Sequence, residues 1–292
     1  CSYQLMGNPF IPFPRCENII IVGDAAAEYL GALRIYGRGL IGGDVPSMEL
    51  LHPMEKHLEC VSCFLNDPTQ VLMPAVRRMK ADFVVLEENG SADFNPAAGR
   101  EALEKEGISV KILDVRGSTE SVLRRAGKLF GEEKQAERII RERTERLAAL
   151  DDVRKSIRKG QKAAIFLAIR SPVRHESYVF RISERSALSQ LLTNTFAIEN
   201  INVRPNAEER IPGIQELDDL ADLFEKNPDL IVYTGDAAAC GQKTAEFIRK
   251  HPQFAECNAV KNGRIYGAPY YCHALDLRRH EILEAWSDVL AD

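Results

Sequence analysis

Short apolar runs alternate with helix-prone segments along most of the chain. Residues 18–22 (NIIIV) form a nearly continuous apolar run that ends in Gly23 and Asp24 and passes into AAAEYL, a helix-forming stretch. A fully apolar strand that runs into a helix is the mark of a buried parallel strand. The unit recurs: residues 82–86 (DFVVL) predict a strand, residues 96–107 a helix, and residues 110–114 (VKILD) another strand. Strands alternating with helices predict a parallel sheet covered on both faces.

From Gly117 the pattern changes. Ser118, Thr119 and Glu120 offer a helix start, and residues 120–158 hold no Pro and Gly only at 127 and 131. Ile139, Ile140, Leu147, Leu150 and Val153 recur at helical spacing. They predict one helix of about 25 residues, from near Glu132 to near Lys159, with Gly160 as its stop. A second series follows: strand 163–169 (AAIFLAI), helix 186–193, strand 229–233 (DLIVY), helix 244–250, a short strand 264–266 and a closing helix 281–290. The expected fold class is α/β, with two Rossmann-like lobes of parallel sheet joined by a single long α-helix. An irregular leader spans 1–16, the first lobe 17–127, the connecting helix 128–160 and the second lobe 161–292.

Composition adds limits. Of 292 residues 45% are apolar and 28% charged, enough for a real core. A net charge of −5 argues against a nucleic-acid partner. No apolar run reaches the ~18 residues a membrane span needs. The sequence begins Cys1-Ser2-Tyr3 with no signal segment. A start at Cys is what remains when a bacterial lipoprotein precursor is cut and acylated, so Cys1 is a candidate lipid anchor; the plain alternative is an arbitrary boundary. Cysteines stand at 1, 16, 60, 63, 240, 257 and 272. With Cys1 set aside, six permit up to three disulfides in an oxidising compartment, without fixing their connectivity.

Motifs of enzymes are weak here. Gly37, Gly39 and Gly42 fit G-x-G-x-x-G, but they follow a helix and overlap a predicted strand, so they read as a turn. There is no P-loop, no His-Glu-x-x-His and no Gly-x-Ser-x-Gly elbow. Cys60-Val-Ser-Cys63 has redox or metal spacing, yet no second Cys/His pair lies at zinc-finger distance. On a strand the two thiols would point to opposite faces. A disulfide or two buried thiols is the expectation, and no metal site.

Five phrases in order carry a resemblance. They are residues 17–24 (ENIIIVGD) with the helix and LIGG that follow, and 79–86 (MKADFVVL), with Ala81 where Pro is usual. Then come 126–131 (AGKLFG) ahead of an Ala/Glu/Arg helix, 217–232 (LDDLADLFEKNPDLIV) and 258–266 (NAVKNGRIY), the most specific. Over residues 17–290 the chain resembles the solute-binding proteins of ABC importers for ferric siderophores, haem and cobalamin, in which one rigid helix joins two lobes. The resemblance implies a monomeric component in the periplasm or on the outer face of the cell membrane. It would bind an iron complex, siderophore or haem, in a cleft between lobes and deliver it to a permease and ATPase. It implies no chemistry and no cofactor on this chain, and membrane contact only through a lipid on Cys1. Two other ligands remain within that role, cobalamin and a small oxyanion. From another class, a cytoplasmic two-lobed enzyme of chelatase type would use Glu87 and Glu88 with His175. A lipid-anchored metal chaperone would use Cys60 and Cys63. A signal segment upstream of Cys1 separates transport from the enzyme reading.

In parallel α/β sheets ligands bind beyond the carboxyl ends of the strands. In the first lobe that rule selects Asp24, Tyr29, Asp44, Asn66, Asp67, Glu88 and Asn89. Helix N-termini there would offer N–H groups to an anion; for Asp24 the favoured reading is a helix cap. In the second lobe it selects Arg170, Arg174, His175 and Tyr178, the densest polar cluster of the chain, with Thr234 and Asp236 after the next strand. Arg offers a planar fork to carboxylates such as haem propionates, and Tyr or His can ligate ferric iron. Tyr270, Tyr271 and His273 follow the last strand. The plain alternatives are a solvated loop for the first group and core packing for one Tyr of the last. Trp286 is the single Trp and lies on the closing helix, so no Trp-lined pocket is expected. The resemblance also implies an acidic permease-docking residue on each lobe. Asp218, Asp219 and Asp222 lie where the second would fall; in the first lobe Asp67 is nearest, because residues 68–72 hold no carboxylate.

Overall fold

The computed structural model describes residues 15–42, 55–170, 176–202, 209, 213–217, 219–267 and 276–291. These fall into two units that divide between Ile139 and Ile140.

The first unit runs β1 (Arg15–Cys16), β2 (Ile19–Val22), α1 (Asp24–Ala32), β3 (Ile35–Tyr36), β4 (Gly39–Ile41), β5 (Lys56–Glu59), α2 (Val61–Asn66), α3 (Pro68–Met79), β6 (Phe83–Glu88), α4 (Arg100–Lys105), β7 (Val110–Asp114) and α5 (Thr119–Phe130). Its main sheet is parallel throughout, in the order β5-β4-β2-β6-β7. Strand order therefore reverses between β2 and β6, the switch point of a doubly wound sheet. Ile19, Ile20, Ile21 and Val22 are all fully buried, as are Val84, Val85 and Leu86 on the neighbouring strand. Burial on both faces is why β2 reads as an unbroken apolar run. Each such side chain contributes about 1.5–3 kcal/mol of transfer free energy. Arg15 and Cys16, within the expected leader, form β1, which pairs in parallel with β3. The G-x-G-x-x-G match overlaps β4, as a turn-and-strand reading requires. The helix expected over 96–107 is a 3₁₀ turn at Pro96–Gly99 followed by α4.

The chain passes from the first unit to the second inside one 24-residue helix, α6 (Glu133–Ser156). At its start Ala136 is buried against Gly127, where an added Cβ would lie 3.0 Å from the Ala136 Cβ. Further along, Leu147 and Leu150 pack on the core of the second unit. Arg143 donates to the carbonyl and the carboxylate of Asp276, at 2.8 and 3.0 Å. The helix ends at Ser156, short of the expected Lys159; Gly160 still carries the left-handed turn, with φ +73°.

The second unit continues β8 (Lys162–Arg170), β9 (Ser177–Ile182), α7 (Ala187–Phe196), β10 (Glu199–Asn200), β11 (Ile214–Glu216), α8 (Ala221–Glu225), β12 (Leu230–Gly235), α9 (Ala237–Lys250), α10 (Asn258–Lys261), β13 (Ile265–Gly267) and α11 (Arg279–Ala291). The sheet order is β11-β9-β8-β12-β13, with β10 beside the start of β8. Strands β8, β10, β12 and β13 are parallel, but β9 is antiparallel to β8 and β11 to β9. The second sheet therefore has a parallel core with an antiparallel edge. Residues 177–182 (SYVFRI) conceal a strand because Arg181 reads as polar. Its side chain is fully buried and forked onto Asp222, Nη1–Oδ2 and Nη2–Oδ1 both 2.7 Å. Helix α9 begins well before the expected 244, because Asp236 caps it and accepts from the Ala239 N–H at 3.1 Å. Trp286 is 1% exposed in the core with Ile165, Leu167 and Leu192, so it serves packing. Among the described residues no helix is long and apolar enough to cross a membrane.

Candidate functional site

In the first unit the switch point lies between the loop after β2 and the loop after β6. Glu87, at the end of β6, is buried and turns its side chain across that point. Its Oε2 accepts the Ala26 N–H at 2.9 Å, and its Oε1 accepts from Asn89 Nδ2 at 2.8 Å. One N–H in the first turn of α1 is thus already served by an internal carboxylate, favourable beside the positive end of the helix dipole. Gly23 makes the approach possible: its φ is +120°, and a Cβ there would lie 2.4 Å from the Glu87 Cβ. Gly23, and not Asp24, is the N-cap of α1, so the capping reading of Asp24 is corrected. Asp24 is a buried first-turn residue, packed so close to Gly42 that a Cβ there would lie 2.3 Å from its Oδ1.

Glu88 organises the loop that follows. It accepts from the Gly90 N–H at 2.8 Å and from Asn95 Nδ2 at 3.0 Å, and lies 3.9 Å from Arg116. Asn89 Nδ2 also donates to the Phe94 carbonyl at 2.9 Å, and the Phe94 N–H reaches Ser91 Oγ at 3.0 Å. These bonds hold up a Phe94 side chain that is 56% exposed. An exposed aromatic on a braced loop at the carboxyl edge of a parallel sheet is a candidate contact that sequence reasoning missed. The signal was a lone Phe in the polar stretch ENGSADFN. Beside it, Arg116 chelates Asp114 and holds that carboxyl down at about 2.

The other first-unit candidates face different ways. Tyr29 is 5% exposed, with its hydroxyl 3.4 Å from Thr119 Oγ1 inside the unit. Asp67 is exposed and caps α3, accepting from the Gln70 N–H at 2.9 Å. Cys60 and Cys63 depart from expectation. They lie on no strand: Cys60 is the N-cap of α2 and Cys63 sits one turn inside it. Both are free thiols, Cys60 half-buried and Cys63 exposed, so neither a disulfide nor a buried pair is present. Hydrogen bonding with Cys60 pushes the Cys63 thiol up to about 11.

In the second unit, β8 ends at Arg170, paired with Ser177, and Ile169 pairs with Tyr178. Tyr178 lies at the start of a strand and not in a loop; it is 40% exposed, its hydroxyl 3.4 Å from Glu176 Oε2. Ser177 Oγ donates to Asp236 Oδ2 at 2.7 Å, which ties the start of β9 to the cap of α9. Thr234 is buried and donates to the Phe166 carbonyl at 2.7 Å. Asp236 and Thr234 are therefore committed to the frame of this edge. Asp219 accepts from the Ala221 N–H at 3.1 Å, while Asp222 is held by Arg181. Asp44, Arg174, His175, Asp218, Tyr270, Tyr271, His273 and Cys1 lie outside the described residues, and of Arg170 only the backbone is described.

The chain resembles in fold the periplasmic haem-binding protein RhuT from Roseiflexus sp. RS-1 in apo form, at 14% identity and TM-score 0.64, over 95% of this chain and 98% of that one. It resembles the iron-uptake system-binding protein FeuA from Bacillus subtilis at 19% identity and TM-score 0.61, over 94% of each chain. A periplasmic haem-binding protein from Pseudomonas aeruginosa matches at 15% identity and TM-score 0.60, over 95% of this chain and 92% of that one. No curated protein matches by sequence. The sequence profile of the periplasmic binding protein family matches residues 65–271, more than two thirds of the length. The chain belongs to the periplasmic binding protein family.

Proposed function

We propose that this chain is the extracytoplasmic solute-binding component of an ABC importer, and that its cargo is an iron complex, a siderophore or haem. The observation that carries the reading is the family match over residues 65–271, on a chain whose two α/β units are linked through one helix. The named cargo of the structural neighbours, haem and iron, supports the ligand class. The role is binding and release, with a permease and an ATPase as partners.

The cargo is held by side chains at the carboxyl ends of the strands. In the first unit Glu87 already takes the Ala26 N–H of the nearest helix N-terminus, and that edge contributes the exposed ring of Phe94. Aromatic faces suit a flat macrocycle or catechol rings. In the second unit Tyr178 offers an exposed phenol. Arg170, Arg174, His175, Tyr270, Tyr271 and His273 supply forks for carboxylates and ligands for ferric iron. Permease docking falls to Asp67 and Asp219, whose carboxylates, among the described residues, each hold only a local backbone N–H. Asp222 is the weaker choice, because Arg181 engages both its oxygens.

Uptake of radioactive iron as its siderophore and haem complexes tests the role in cells. Deleting the chain should abolish uptake of one complex, and restoring it should recover uptake. Unchanged uptake of every iron complex would contradict the proposal.

A further inference from the structure

The dithiol at the end of β5 belongs to no part of the site described above. Strand β5 is the edge of the first sheet, and Cys60 follows its carboxyl end directly. Cys60 Sγ accepts the Cys63 N–H at 3.4 Å, and the two sulfurs lie 3.1 Å apart. Glu59 folds back toward them, its Oε1 accepting the Cys60 N–H at 3.0 Å. One ligand atom from each of Glu59, Cys60 and Cys63 lies within 4.8 Å of the others. Glu59 and Cys63 are exposed and Cys60 is half-buried, so the cluster is open to solvent.

We propose that Glu59, Cys60 and Cys63 form a solvent-accessible binding site for a thiophilic divalent cation of the zinc class. Two sulfurs and one carboxylate oxygen are the donors such an ion selects over magnesium or calcium. Zinc–sulfur bonds of ~2.3 Å in a tetrahedron place the sulfurs ~3.8 Å apart. From 3.1 Å the thiols need to part by less than ~1 Å, which rotation of exposed side chains supplies. Three protein ligands leave the fourth position to water, unlike a closed four-ligand structural site. The objection from sequence was that i and i+3 diverge on a strand. It disappears because the residues form a helix cap and first turn.

The test uses the full chain, reduced and freed of metal, in the absence of any iron complex. Cd²⁺ is titrated while the thiolate-to-cadmium absorbance is followed, and Zn²⁺ is then measured by competition with a chromophoric chelator. One equivalent should bind. Cys60→Ser and Cys63→Ser should each weaken zinc at least about tenfold, the low end of what loss of even an outer-shell partner costs, and Glu59→Gln less. Ser also caps helices well, so Cys60→Ser preserves the fold, and circular dichroism checks it. Absence of a thiolate–cadmium band in the reduced protein overturns the proposal. So does a band unchanged in the doubly substituted Cys60→Ser, Cys63→Ser protein, which would place the metal on other cysteines.

Discussion

Glu87 reaches from the end of β6 to the first turn of α1, its Oε2 2.9 Å from the Ala26 nitrogen. The contact closes the switch point of the first sheet with the protein's own carboxylate. Glu87→Ala should remove a charge-assisted bond and leave the Ala26 N–H unserved, destabilising the first unit by about 1–3 kcal/mol. Gly23→Ala should cost at least as much, since it adds a side chain at φ +120° and 2.4 Å from the Glu87 Cβ. Urea denaturation measures both. If either variant matches wild type, Glu87 does not hold the helix.

Arg181 is fully buried on β9 and depends on Asp222 for its counter-charge. Asp222→Ala should therefore destabilise the second unit by about 1–3 kcal/mol, the cost of leaving the buried guanidinium without its carboxylate, reduced because Asp222 itself is half-buried and solvent-screened. Asp219→Ala should leave stability within about 0.5 kcal/mol, as an exposed substitution does, and weaken permease docking instead. Denaturation and ATPase stimulation of the importer separate the two effects. Equal stability loss in both variants would show that Asp219 is structural as well.

Burial, and next the charge of Arg146, push the His280 imidazole below its ordinary value. The unfolded chain takes up that proton near pH ~6.5 and the folded chain only at lower pH. A depressed value of this kind leaves the stability whole above pH ~6.5 and lowers it as pH falls beneath that. Among the described carboxylates with shifted values, Asp114, Glu137 and Glu209 are all lowered, so their loss comes at more acid pH. Urea midpoints at pH 7.5 and 5.5 should fall in wild type and fall less in His280→Asn. An equal fall in both would assign the effect elsewhere.

The frame was legible in the sequence where burial on both faces leaves an apolar run, as at Ile19–Val22 and at residues 230–233 (LIVY). The connecting helix was legible from its lack of Pro and its apolar spacing. Strand β9 was not, because Arg181 is a buried charge whose partner lies 41 residues away. Cys60 and Cys63 were misplaced because a cap and first turn have no periodicity to read. The strand-end rule selected Glu88 and Tyr178 as candidates but gave no account of Glu87 taking the Ala26 N–H or of Phe94 standing out. Both follow from side-chain bonds across loops, which spacing along the chain does not encode.

Equilibrium titration of the purified chain with haem, ferric siderophores, cobalamin and a small oxyanion, followed by absorbance and intrinsic fluorescence, tests the central claim most directly. Saturable one-to-one binding of a siderophore or haem, weakened at least about tenfold by Arg174→Ala or Tyr178→Ala and less by Phe94→Ala, is the predicted result. Saturable binding of cobalamin or the oxyanion instead, or of none of them by a cleanly folded chain, would contradict it.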